Sequence, residues 1–104
     1  MLIYKHYSKN GVMLAKAESF QNYLLFRKVR VISNPHRFRI IELTENNSLS
    51  ITELSSKLKL AYTKCADYVK MLEQMGLVQK TRDGKETLVR SKVKIGSAII
   101  EFKN

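Results

Sequence analysis

Apolar positions recur at helical spacing in four stretches of this chain and alternate at strand spacing around one turn. From Val12 to Ile32 no Pro or Gly intervenes, and Met13, Ala17, Phe20, Leu24 and Val31 recur at intervals of four, three, four and seven. Leu25, Val29 and Ile32 form an adjacent stripe, so the apolar face is wider than one partner surface needs. That breadth predicts a helix over residues 11–32 that packs on its own domain with one side and on a second copy of the chain with the other. Phe20, Leu24 and Val31 are the candidate dimerisation residues. The alternatives are a helix buried within a monomer and, over Phe26–Ile32, a strand. Residues 1–10 show no helical period and read as an arm.

Ser33-Asn34-Pro35 is a break and a restart: Asn34 suits an N-cap, and Pro35 suits the first helical turn, where its missing N–H costs nothing. The helix that follows runs to about Glu45, with Phe38, Ile40 and Ile41 inward, and Asn46-Asn47-Ser48 ends it. Ser50-Ile51-Thr52-Glu53 is a capping box. It opens a short helix ending near Leu58, whose inner stripe is Ile51, Leu54 and Leu58. After a turn at Lys59–Ala61, a further helix runs from about Tyr62 to Met75 with Cys65, Val69 and Leu72 inward. Gly76 is its expected left-handed terminator, with Leu77 packing back on Leu72. Leu77–Thr81 and Glu86–Arg90 flank Arg82-Asp83-Gly84-Lys85, where Asp-Gly predicts a two-residue type I′ hairpin. That turn pairs Arg82 with Lys85, Lys80 with Thr87 and Val78 with Val89. In residues 93–104, Ile95, Ala98, Ile99 and Phe102 fit one face of a short docking helix; a strand over Ala98–Phe102 is the alternative.

The fold class is therefore mostly α with a small antiparallel β-hairpin (α+β). One domain is expected in 104 residues, made of an arm (1–10), an N-terminal helix (11–32), a core (34–92) and a C-terminal docking segment (93–104). No apolar run is long enough for a membrane span or a signal-peptide core, so the expected location is the cytoplasm. Cys65 is alone, and with His6 and His36 it makes neither a disulfide framework nor a zinc site. Cys65 reads as a small buried apolar residue and His36 as structural. No cofactor, metal or small-molecule effector is supported. No acid pair, Ser/His/Asp set or phosphate-cradling glycine loop is present, which argues against an enzyme.

Charge changes the picture most. Nineteen Lys+Arg against nine Asp+Glu give a net charge of +10, which attracts polyanions, nucleic acid being the commonest. Residues 1–40 carry eight of the cations and one acid, Glu18. A DNA major groove admits one α-helix braced by another across the backbone. The helix from Ile51 would be the brace and the helix from Tyr62 the reader. With its inner stripe removed, the reader helix presents Tyr62, Thr63, Lys64, Asp67, Tyr68 and Met71, with Lys70 partly so; all but Met71 are candidate DNA contacts. Ser50 and Thr52, at the brace N-terminus, and Lys80, Arg82 and Lys85, on the hairpin, are candidate phosphate contacts. A solvated helix face, simple capping and a solvated hairpin tip are the bland alternatives.

Asn34-Pro35-His36-Arg37 followed by Ile40-Ile41, then Ile51-Thr52-Glu53-Leu54, Leu58, Leu60 and Leu72-Glu73-Gln74-Met75-Gly76-Leu77-Val78, resemble the winged helix-turn-helix regulators of the arsenic-repressor (ArsR) type and their archaeal relatives. The resemblance covers about residues 20–92 and implies a homodimer that binds double-stranded DNA as a transcription regulator. Three positions depart from it. Metal-sensing members carry paired thiols on the brace helix, where this chain has Glu53-Leu54-Ser55-Ser56-Lys57-Leu58. Lys59 stands where glycine is frequent in the turn, and Ala61 stands where Ser or Thr caps the reader helix, so Thr63 is an alternative cap. The competing functions are a weakly specific chromatin-type DNA binder and a winged helix used as a protein-interaction module.

Overall fold

The computed structural model describes the backbone of residues 9–95 and 100–102, and the side chains of residues 20–95. In chain order the elements are α1 (Lys9–Ile32), α2 (Pro35–Thr44), β1 (Leu49–Ser50), α3 (Ile51–Leu58), α4 (Tyr62–Gln74), β2 (Val78–Asp83), β3 (Glu86–Ser91), β4 (Val93–Ile95) and β5 (Ile100–Phe102). They fall into two units, residues 1–30 and 31–104. Among the described residues no helix is long and apolar enough to cross a membrane.

The first unit holds α1 as far as Arg30; the element is helical through to Ile32, so the strand alternative over Phe26–Ile32 does not occur. Lys9 and Asn10 already belong to the helix; the rest of the expected arm lies outside the described residues. Phe20, Tyr23, Leu25, Phe26 and Val29 are exposed, and Leu24 is half-buried. The Arg27 guanidinium lies 5.9 Å from the centroid of the Tyr23 ring, one turn away.

The second unit is built around Ile32, Ile40, Ile41, Leu54, Cys65, Val69, Leu72, Leu77, Val78 and Val89, all buried, with Val31 packed partly against them. Local chemistry sets where its helices begin. Asn34 caps α2: its Oδ1 accepts from the His36 and Arg37 N–H groups at 2.9 and 3.1 Å. Ser50 and Glu53 close the capping box of α3 reciprocally, each bond 3.0 Å long. The buried Thr44 hydroxyl donates to the Ile40 carbonyl at 2.7 Å, which satisfies it inside the core.

Two helices end in the same way. At the end of α4, Leu77 N–H donates to the Leu72 carbonyl and Gly76 N–H to the Glu73 carbonyl, both at 2.9 Å, with Gly76 at φ +72. This is the Schellman arrangement the sequence predicts. At the end of α3, Leu60 N–H donates to the Ser55 carbonyl at 2.9 Å and Lys59 N–H to the Ser56 carbonyl at 3.3 Å. Here the left-handed residue is Lys59, at φ 56 and ψ 45, so the expected departure at this position is real. α4 starts at Tyr62 with Ala61 as an N-cap that makes no side-chain bond. Thr63 therefore does not replace it.

The sheet order is β1-β3-β2, antiparallel throughout. Two features differ from the sequence expectation. Asp83 pairs with Glu86, so Gly84-Lys85 is the two-residue turn, and Arg82 faces Thr87 while Lys80 faces Val89. Gly84, at φ +62, occupies the first central position and Lys85 has no positive φ, the pattern of a type II′ turn. The slip is by an even number of positions, so the faces of the strands keep their identity. Residues 93–95 and 100–102 form a two-stranded antiparallel sheet in place of the expected docking helix, with Val93 opposite Phe102. Ile95 N–H donates to Glu45 Oε1 at 3.1 Å, which ties β4 to the end of α2.

Candidate nucleic-acid interface

α4 divides cleanly. Cys65, Val69 and Leu72 are fully buried, while Tyr62, Thr63, Lys64, Asp67, Lys70 and Met71 are exposed and Tyr68 is half-buried. The division follows from 3.6 residues per turn: positions 65, 69 and 72 share the face turned to α2 and α3. Burial pushes the Cys65 thiol above its ordinary range, which keeps it a neutral core residue.

The other candidates separate by what they touch. Thr52 is exposed. Ser50 is 1% exposed, and its hydroxyl accepts the Glu53 N–H; a side chain so enclosed cannot present itself to a phosphate. Ser50 is thus a cap and a strand residue, and the expectation of a contact there is corrected. Its N–H in turn donates to the Glu53 carboxylate and, with the Ser50 hydroxyl, holds that group below the usual carboxylate range.

On the hairpin, Lys85 sits exposed in the turn. Arg82 is exposed and braced, its Nε donating to the Gly84 carbonyl at 3.0 Å and its Nη1 to Thr87 Oγ1 at 3.4 Å. Lys80 pairs with Glu73 of α4, Nζ to Oε1 3.1 Å, so the three cations do not form the single free row the expected register implied. Of the dimerisation candidates, Phe20 is exposed and Leu24 half-buried; Val31 packs on the core of the second unit.

A group that pattern reading passed over lies where α2 meets α4. The His36 ring stacks on Tyr68 with centroids 5.9 Å apart and planes 22° from parallel. The Arg37 guanidinium lies 5.4 Å and the Lys64 ammonium 4.9 Å from the same ring centroid. Arg37 is fixed by Nε donating to the Val31 carbonyl at 2.6 Å, and its Nη1 approaches Met71 Sδ at 3.7 Å. Nothing in the spacing of the sequence marks this group, because its two halves, His36-Arg37 on α2 and Lys64, Tyr68 and Met71 on α4, are 27 or more positions apart; only the Asn34-Pro35 start hints that residues 36 and 37 sit in a first turn.

Two short helices joined by a tight turn, followed by a hairpin over the same core, define a winged helix-turn-helix. Residues 35–79 match the family described as winged helix-turn-helix DNA-binding. Solved structures carry the same fold. Reduced HlyU from Vibrio cholerae superimposes with a TM-score of 0.67 at 21% identity, covering 73% of this chain and 80% of that one. A homodimeric winged helix-turn-helix DNA-binding domain from Mycobacterium bovis, a possible ArsR-family transcriptional regulator, gives 0.67 at 18% identity, covering 71% and 68%. NolR from Sinorhizobium fredii gives 0.66 at 16% identity, covering 85% and 81%. Among curated proteins none matches the chain.

Proposed function

We propose that this chain is a transcription regulator that binds double-stranded DNA sequence-specifically as a homodimer, with no catalytic activity. One observation carries the reading: α4 buries Cys65, Val69 and Leu72 and turns Tyr62, Thr63, Lys64, Asp67 and Lys70 outward on a strongly basic chain. The first turns of a recognition helix meet base edges. Thr63 and Lys64 hydrogen-bond base edges or phosphate, and Tyr62 offers its hydroxyl to phosphate or its ring to a thymine methyl. Asp67 accepts from cytosine N4. Thr52, Arg82 and Lys85 hold phosphates on either side. The expected site of action is the cytoplasm.

The exposed apolar residues of α1, Phe20 foremost, with Leu24, cover their counterparts on a second copy, and a two-fold dimer reads a pseudo-palindrome. The homodimeric state of the Mycobacterium bovis domain supports this arrangement. The test is selection of bound duplexes from a random pool, then salt titration of the selected duplex against a scrambled one. The reading expects one enriched motif and tighter binding of the selected duplex at every salt concentration. Equal affinity for both sinks it in favour of a chromatin-type binder.

A further inference from the structure

We propose that Arg37 of α2 and Lys64 of α4, set around the Tyr68 ring with His36 stacked against it, form one binding site for a DNA backbone phosphate, so that α2 joins the DNA-contacting surface. The inference rests on the DNA-binding reading above and extends its footprint beyond the brace, the reader helix and the wing.

Three observations carry it. First, two formal cations approach one ring from different helices, Arg37 at 5.4 Å and Lys64 at 4.9 Å from its centroid. The ring attracts each cation without neutralising its charge. Packing α2 on α4 does not require such a pair; a leucine would cover the ring without bringing a cation to it. Second, the charges are not neutralised from within. Among the described residues the ion pairs are Arg39 with Glu42 and Lys80 with Glu73; neither Arg37 nor Lys64 takes part, and Asp67, the acid nearest along α4, pairs with neither. Third, Arg37 is held in place before any ligand arrives. Its Nε is committed to the Val31 carbonyl and its Nη1 turns to Met71 Sδ, while Nη2 makes no hydrogen bond among the described residues. A fixed guanidinium with an unused N–H edge beside a lysine suits a phosphodiester oxygen, and ordering it costs little on binding.

The test is fluorescence anisotropy on a labelled mixed-sequence duplex of about 30 base pairs, roughly three helical turns. Affinity is measured from about 50 to about 200 mM salt, where each lost phosphate contact lowers the log–log slope by about 0.9. Arg37→Gln is expected to flatten the slope by that amount and to bind about eightfold more weakly at roughly 0.1 M salt, that slope applied over the tenfold range from 1 M. Arg39→Gln, on the same helix with the same charge change, is expected to keep the wild-type slope. Arg37→Lys gives up the Val31 bond and keeps the cation, so its slope is expected to equal that of the wild type. Circular dichroism melts establish that each variant is folded at the assay temperature.

A wild-type slope in Arg37→Gln overturns the site, and so does an equal drop in Arg39→Gln, which would mean bulk charge alone. A flattened slope in Arg37→Lys overturns it as well, by assigning the effect to the Val31 bond. Wild-type protein that does not bind the duplex at all overturns the DNA-binding reading itself, a separate result.

Discussion

Lys59 is the one non-glycine residue with a positive φ among the described residues, and it sits in the turn of the helix-turn-helix. The left-handed conformation costs an L-residue about 1–2 kcal/mol because Cβ crowds the following carbonyl. Glycine escapes that cost but gives up about 0.5–1 kcal/mol more conformational entropy on folding. Lys59→Gly is therefore expected to stabilise the protein by about 0.5–1 kcal/mol, or about 2–8 °C in melting temperature for a domain of this size. Lys59→Ala separates charge from backbone: it removes the ammonium, keeps the Cβ, and is expected to leave the melt where it is. The reverse change at the matching position of α4, Gly76→Ala, is expected to destabilise. A Cβ there meets nothing within 4 Å, so φ +72 alone causes the loss. Thermal and urea melts of the three variants settle the matter. A neutral or destabilising Lys59→Gly beside a neutral Gly76→Ala would refute the idea that left-handed strain governs these two helix ends.

Four further outcomes follow from the caps, the core and the wing. Ser50→Ala removes an N-cap and is expected to cost about 1 kcal/mol in a urea melt. The Glu53 carboxylate of the same box is held below its ordinary value of 4.5, so its contribution is present above that pH and is lost as pH falls through the lowered value. Glu53→Gln should remove that acid-limb component from a stability–pH profile, and an unchanged profile would contradict the assignment. Cys65, fully buried with its thiol raised above the ordinary 9.0, should resist a thiol reagent until the protein is unfolded; its contribution to stability holds below pH 9.0 and declines at higher pH. Labelling at the free-thiol rate in native buffer would show the burial to be wrong. Glu73→Gln frees Lys80 from its 3.1 Å ion pair and should tighten duplex binding up to about eightfold near 0.1 M salt; unchanged affinity means Lys80 does not reach DNA.

What was readable in the sequence was local. Asn34-Pro35, the Ser50–Glu53 box and Gly76-Leu77 announce helix ends because each bond spans only a few residues, and the structure makes each of those bonds. The buried stripe Cys65, Val69, Leu72 followed from helical periodicity in the same way. Pairing between distant segments was not readable. β1 is two residues long, and its strand character comes from Val89 and Leu88, some 40 positions away. The hairpin register turned on which two residues form the turn, a choice between I′ and II′ geometry that Asp83-Gly84-Lys85 leaves open. Ile95, Ala98, Ile99 and Phe102 have helical spacing, yet Val93 and Ile95 also alternate as a strand does, and pairing with residues 100–102 prevails. The candidate site shows the same split. The outward face of α4 was legible, whereas the burial of Ser50, the Lys80–Glu73 pair and the approach of Arg37 to Tyr68 depend on tertiary packing.

The central claim is that the outward face of α4 reads DNA sequence. The most direct test is the affinity of Asp67→Ala and Thr63→Ala for the selected duplex and for its scrambled counterpart at one fixed salt concentration, beside melts of the same proteins. Both side chains are exposed, so their loss leaves folding intact. The account predicts melts within about 0.5 kcal/mol of wild type and a selected-to-scrambled affinity ratio reduced by about 1–3 kcal/mol, the worth of a good base contact. A ratio unchanged in both variants, with the selected duplex still preferred, would contradict it and place recognition elsewhere on the protein.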